Sequence, residues 1–184
     1  MYKKFIITVT ILIIICIGVL LFLKFYPNKN TAIVDEYTPV QEISEEQIRK
    51  TILSLYFQNK ETKTLMPEAR SIDVKILAVN PYLEIINLLL QGPKSDKLES
   101  TIPYGTKINN AYLEGDVVCL DLSKEFIDNH PGGLDAESNT IFSIVNSLTE
   151  LNEVSYVKFL IDGKENLSFN DNCMNFKEIF SRAD

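Results

Sequence analysis

His130, the one histidine of the 184-residue chain, stands in the string Asp128-Asn-His-Pro-Gly-Gly-Leu-Asp135, where an imidazole and two aspartates could converge on a metal. A catalytic metal also needs further strong ligands, each oriented by its own hydrogen bonds, and a Pro-Gly-Gly loop promises neither, so a plain loop is favoured. Asp121 and Glu125 are the second candidate, a carboxylate pair of the kind that flanks a glycosidic bond in hydrolases. Only the fold can oppose two such groups. The simpler reading ends a strand at Asp121, with Asp121 or Ser123 capping the turn that follows. Three cysteines without a CxxC pair cannot build a disulfide framework or a thiolate zinc site. Cys119 and Cys173 leave room for one disulfide, which is disfavoured because a predicted strand holds one and an ill-defined C-terminal stretch the other. Cys16 lies within an apolar run and reads as a thiol among apolar neighbours, not as a lipid-modified residue. With one histidine and no tryptophan, the usual triads and multi-histidine metal cages are excluded by inventory. Gly92-Pro93, Pro103-Tyr-Gly-Thr106 and Asp162-Gly163 are turn chemistry, and no phosphate-cradling glycine motif occurs. No cofactor or metal is expected.

These side chains belong to an acidic region. Lys3, Lys4, Lys24 and Lys29 fall in the first thirty residues, which contain no acid; the remainder carries 14 basic against 25 acidic residues. Nucleic acid, which demands a clustered basic surface, is excluded as a partner, and the same argument disfavours adsorption to an anionic lipid surface. Phe5 to Leu23 contains no charge and, at about 1.5 Å per residue, spans roughly 28 Å as a helix, close to the hydrocarbon core of a bilayer. No small-residue cleavage site closes the run, so residues 1–25 are expected to be an uncleaved transmembrane anchor. The lysine pair at its start places the N-terminus in the cytoplasm and the rest of the chain outside it.

Residues 26–50, with two prolines and no periodicity, read as a tether whose last part, Ser44 to Lys50, forms a helical turn. Thr51–Gln58 and the alternating Ser71–Val79 are predicted strands. Asn80-Pro81 opens a helix carrying Leu83, Ile86, Leu89 and Leu90 on one face, and Gly92-Pro93 stops it. Lys107–Leu113 and Val117–Leu122 form a hairpin across Glu114-Gly115-Asp116. Asp135 caps a second helix with Ile141, Ile144, Val145, Leu148 and Leu151 inward, and Ser155–Ile161 is the last clear strand. The order β-β-α-β-β-α-β is an α/β (α+β) arrangement, a small mixed sheet with both helices on one face and a right-handed crossover between its last two strands if these are parallel neighbours. Residues 166–184 form a C-terminal extension with a short strand near Leu167–Phe169 and a short helix around Phe176–Phe180.

Read in order, Leu89-Leu-Gln-Gly-Pro93, Thr101-Ile-Pro-Tyr-Gly-Thr106, Asp121-Leu-Ser-Lys-Glu-Phe126, Ile144-Val-Asn-Ser-Leu-Thr149 and Val157-Lys-Phe-Leu-Ile-Asp-Gly163 closely resemble the GerMN domain of bacterial sporulation and spore germination proteins. The positions that carry the resemblance are Leu89, Gly92, Pro93, Pro103, Gly105, Thr106, Asp121, Ser123, Phe126, Val145, Leu148, Thr149, Val157, Phe159, Asp162 and Gly163. Met66-Pro-Glu-Ala-Arg70 looks like the segment this family carries between its first two strands. The resemblance covers residues 51–165 in a single copy, whereas some members pair two copies behind a lipid anchor.

The resemblance implies a module similar to the ring-building domains of secretion and sporulation assemblies, without catalytic residues. It implies docking onto other envelope or sporulation proteins, with the bacterial membrane held through the N-terminal helix. A cell-wall hydrolase is the rival reading, and a wall-binding module with peptidoglycan as its partner is the third. Convergent carboxylates in a deep cleft would favour the hydrolase, an exposed aromatic groove the wall binder, and an apolar patch or open sheet edge the docking module.

Overall fold

The structure, a computed structural model, describes residues 2–25, 49–165 and 167–183. The chain divides into two compact units, Met1–Glu42 and Ile43–Asp184. In the first, helix α1 (Tyr2–Phe25) runs unbroken for 24 residues. Among the described residues no helix is long and apolar enough to cross a membrane. The side chains of Phe5, Ile7 and Leu12, among others in α1, lie outside that description, and the sequence beneath the helix is uncharged from Phe5 to Leu23. The expected tether also lies outside the described residues, except at its end. There Arg49 lies in a turn and Lys50 already opens the first strand, so the helical turn does not extend to Lys50.

In the second unit β1 (Lys50–Asn59) folds back antiparallel onto β2 (Leu65–Asp73), in register from Lys50↔Asp73 to Gln58↔Leu65. The Asn59 side chain makes the turn by accepting from the N–H groups of Glu61 and Thr62. The second strand is therefore not Ser71–Val79: it begins six residues earlier and takes in Met66–Arg70. Asp73, the last residue of β2, also accepts from Lys75 N–H at 2.8 Å and starts helix α2 (Val74–Leu77), where the strand was expected to continue. Pro67 is tolerated in β2 because the strand has only β1 as a neighbour and no ladder partner needs the missing N–H.

Helix α3 (Pro81–Leu90) follows as the sequence predicts, with Asn80 accepting from Leu83 N–H at 3.0 Å and Gly92 left-handed at φ 81°. Its buried face is Ile85, Ile86 and Leu89, with Leu83 and Leu90 partly buried at the margin. A two-residue β3 (Leu98–Glu99) then pairs with the far end of β1, giving a three-stranded sheet of order β2-β1-β3. The hairpin β4 (Ile108–Glu114) and β5 (Val117–Leu122) forms as expected, and after helices α4 (Glu125–Asp128) and α5 (Leu134–Leu148) the strand β6 (Tyr156–Ile161) lies parallel to β5. Strand β7 (Phe180–Ser181) completes a four-stranded sheet of order β4-β5-β6-β7.

The strands thus form two sheets, where one was expected. The edge of β1 that β3 leaves open is closed by α5. Tyr56 N–H donates to Ser147 Oγ at 2.9 Å, and Ser143 Oγ donates to Tyr56 C=O at 2.5 Å. Two helix hydroxyls take the place of a further strand. The residue at the N-cap position of α5 is Gly133, and Asp135 lies in the first turn without capping it. Leu151 lies beyond the helix and is partly buried. In the C-terminal stretch Leu167 is not in a strand and residues 176–180 are not helical; an isolated bridge joins Ser168 to Asn175. Phe169 and Phe176 nevertheless enter the core, packing with Phe126 and Phe159 at ring separations of 5.1 to 6.1 Å. Each fully buried side chain of this size contributes about 1.5–3 kcal/mol, which is how irregular chain is held without regular structure.

Candidate functional site

The motif residues meet in two hydrogen-bonded knots. In the first, Glu68 of β2 accepts from the N–H groups of Lys94 (3.0 Å) and Ser95 (2.8 Å) and from Arg70 Nε at 2.5 Å. Arg70 is buried, lies 5.8 Å over the Phe57 ring, and donates its other arm to Gly92 C=O at 2.7 Å. The two carboxylate oxygens and the planar guanidinium pin the Gly92–Ser95 turn to the edge strand. Burial pushes the Glu68 carboxyl up, but the two N–H groups and Arg70 outweigh it and leave the group below the usual glutamate value.

In the second knot Asp121 accepts from Gly163 N–H at 2.9 Å, Ser123 Oγ accepts from Lys107 N–H at 3.0 Å, and Thr106 Oγ1 donates to Pro103 C=O at 2.8 Å. Gly105 at φ 85° and Gly163 at φ 71° make turns that other residues would strain. Leu89, Phe126, Val145, Leu148, Val157 and Phe159 are core residues, and Thr149 Oγ1 donates back to Val145 C=O. Asp162 at φ 47° accepts from Asn109 Nδ2 at 3.3 Å. Pro93 follows Gly92 within the turn that Glu68 and Arg70 hold.

The candidate catalytic groups Asp121, Glu125 and His130 each have a local partner. Asp121 is engaged with Gly163, while Glu125 is on the surface, its carboxyl lowered first by a hydrogen bond from Ser123. His130 Nδ1 accepts from Gly132 N–H and Nε2 meets Thr140 Oγ1, both at 3.0 Å. Thr140 already donates to Thr101 C=O, so Nε2 carries the proton and the ring is neutral. The ring stacks on Phe169 at 4.3 Å, and burial holds its pKa below the ordinary 6.5. Asp128 faces Lys124, and no group of metal-binding residues occurs among the described residues. Cys119 is buried and Cys173 exposed, both as free thiols.

Two surfaces remain. Around α2, Ile52, Val74, Ile76 and Val79 are exposed, Val79 by 88 %. Beside α5 a cleft of about 720 Å³ runs between Tyr56, Lys63, Asn139 and Phe142 toward Arg182 and Ala183.

The model of the Germane family, described as sporulation and spore germination, matches residues 54–167. The chain belongs to the Germane family. The tandem GerMN domains of the sporulation protein GerM from Bacillus subtilis are similar in structure, at a TM-score of 0.61 and 23% identity over 74% of this chain and 47% of that one. This chain thus spans about half the length of the tandem pair. The first GerMN domain alone matches over 99% of its own length and 73% of this chain, with a TM-score of 0.60 and 18% identity. A putative lipoprotein from Clostridium perfringens has a TM-score of 0.50 at 22% identity, over 73% of this chain and 89% of its own. Among curated proteins none matches. These likenesses show the fold, and the family description gives the sporulation and germination context.

The Germane motif strings thus mark scaffold. The turn groups that Glu68 and Arg70 bind, at Gly92, Lys94 and Ser95, lie more than twenty residues away, and nothing in the i, i+2 spacing announces them. Asn146, Tyr56 and Glu150, which contact Arg182, were not singled out by the sequence. Asn146 sat unremarked within the string Ile144–Thr149, and a polar residue on the inward side of an amphipathic helix was its available signal.

Proposed function

We propose that this Germane-family chain is a non-enzymatic, membrane-anchored docking protein of sporulation or germination, with α1 in the membrane and its acidic domain outside the cytoplasm. The observation that carries the docking reading is the aliphatic corner of Ile52, Val74, Ile76 and Val79, exposed on a domain whose motif side chains are occupied with one another. Exposed aliphatic residues grouped on one corner mark a contact surface. The uncharged run within a 24-residue helix supports the anchor.

The test is recovery of partners by the intact, detergent-extracted chain from growing and sporulating cells, compared with its Val79→Glu form. The charge should cost partner recovery and leave the thermal midpoint unchanged, since position 79 is open to solvent. Equal recovery by both would remove this corner from the interface. Wall-hydrolytic activity of the purified chain that Glu125→Gln abolishes would reverse the non-enzymatic reading. Protease added to protoplasts should remove the domain and leave a small membrane stub; a protected domain would reverse the orientation.

A further inference from the structure

Beside α5 the extended stretch Phe180–Ala183 is gripped by groups of α5 and β1, and its Arg182 and Ala183 form one wall of the cleft. Asn146, 6 % exposed, accepts from Ala183 N–H through Oδ1 at 3.1 Å and donates through Nδ2 to Ala183 C=O at 3.4 Å, so one side-chain amide reads both backbone groups of one residue. One residue earlier in the segment, Arg182 lies 5.1 Å over the Tyr56 ring, pairs with Glu150 at 2.8 Å and donates to Asn146 C=O and Tyr56 Oη. Tyr56 Oη in turn donates to Glu150 at 3.1 Å. Two residues before that, Phe180 sets its ring edge-on to Phe142 and Phe159. Backbone, cation and aromatic ring are each recognised by a group of matching chemistry. That is how peptide-binding grooves divide affinity from specificity.

The segment's ladder with β6 is confined to two pairs, Tyr156↔Ser181 and Val157↔Phe180. Strand β7 has two residues, Ser181 and Arg182 are exposed, and the adjoining cleft is lined also by Thr62, Lys63, Leu65, Ser138 and Asn139. A short, exposed attachment belongs to the low-stability end of a fold and opens first.

We propose that the α5 groove is a docking site for an extended peptide of a partner protein, ordered aromatic, any residue, arginine, small residue, and that Phe180–Ala183 occupies it as a resident competitor. The inference deepens the docking reading and rests on it. An arginine in the ligand meets Glu150 and the Tyr56 face, and an amide clamp for its backbone tolerates variation in the small residue.

The probe is a fluorescent peptide with the sequence of residues 177–184, titrated by anisotropy into the detergent-solubilised full chain. It is compared with a chain ending at Ile179 and with Arg182→Glu, which loosens the segment and leaves the groove whole. The shortened chain and Arg182→Glu should bind the peptide at least tenfold more tightly than the unaltered chain, and Asn146→Ala in the shortened chain should undo that gain. A peptide in which arginine is replaced by glutamate should not bind. If Arg182→Glu melts like the unaltered chain yet binds no better, or if binding ignores Asn146→Ala, the proposal is overturned. It is equally overturned if the shortened chain fails to fold and Arg182→Glu shows no gain. Peptide failure alongside successful partner recovery would overturn the groove alone, whereas peptide binding with no partner recovered would count against the docking reading and leave the groove standing.

Discussion

Glu68, half-buried, and Glu137, fully buried, both tie a distant stretch of chain to the frame through a carboxylate, and they do so with opposite completeness. Glu68 has two backbone N–H groups and the Arg70 guanidinium around it, and it holds the turn after α3. Glu137, in the first turn of α5 and fully buried, accepts from Met174 N–H at 2.7 Å through one oxygen, while the other has no hydrogen-bond partner. Its remaining support is the N-terminal end of α5, where a negative charge is favoured. The first corner is a closed network in which every member is needed; the second is a single bond with slack. Loss of one member should therefore propagate at Glu68 and stay local at Glu137.

The largest effect should come from Arg70→Ala, which removes a buried guanidinium from the Phe57 ring and Gly92 C=O and leaves the half-buried Glu68 carboxylate without its cation. A loss of about 3–5 kcal/mol is expected, measured by urea denaturation followed by circular dichroism of the detergent-solubilised chain. A loss below about 1 kcal/mol would mean that the guanidinium is dispensable and the corner is not a closed network. Glu68→Gln should cost about 1–3 kcal/mol, because an amide turns a donor toward donors that the carboxylate satisfied.

Acid should separate the two regions by pH. His130, bonded to α5 and stacked on Phe169, has a folded pKa below its ordinary 6.5. The unfolded chain therefore takes the proton first, and His130 makes stability decline as pH falls below about 6.5. Glu68 is also lowered, from an ordinary 4.5, so its contribution is intact above about 4.5 and is lost as pH falls through the lower folded value. Thermal midpoints measured from pH 8 to 3 should show two declines, and His130→Gln should flatten only the upper one. The smallest effect should be that of Glu137→Gln, which keeps an acceptor for Met174 and gives up a charge with one idle oxygen. Its stability should lie within about 1 kcal/mol of the unaltered chain, and a larger loss would show that the helix end matters more than the missing partner.

The same contrast explains what could be read in advance. Helix α3 was legible because Asn80, Pro81 and Gly92 punctuate it locally, and the β4–β5 hairpin because its strands meet across a short glycine turn. Asp73 misled because an N-cap and an outward strand position place the same residue type in the same alternation, and only the pairing of β2 with β1 decides between them. The C-terminal stretch was illegible because Phe169 and Phe176 are fixed by distant rings, not by periodicity. At the candidate site the motif strings could be read, but not the partners that Glu68, Arg70 and Asn146 find across the fold.

The pairing of β1 with β2 has a mechanical meaning. Tension applied to β1 from its N-terminal end would load the strand at Lys50. A pull along the axis of that strand sets the whole register from Lys50↔Asp73 to Gln58↔Leu65 in shear, so the ladder must fail together and cannot be peeled bond by bond. The serines of α5 grip the same strand from its other side at Tyr56. The domain is stiff along the axis of β1.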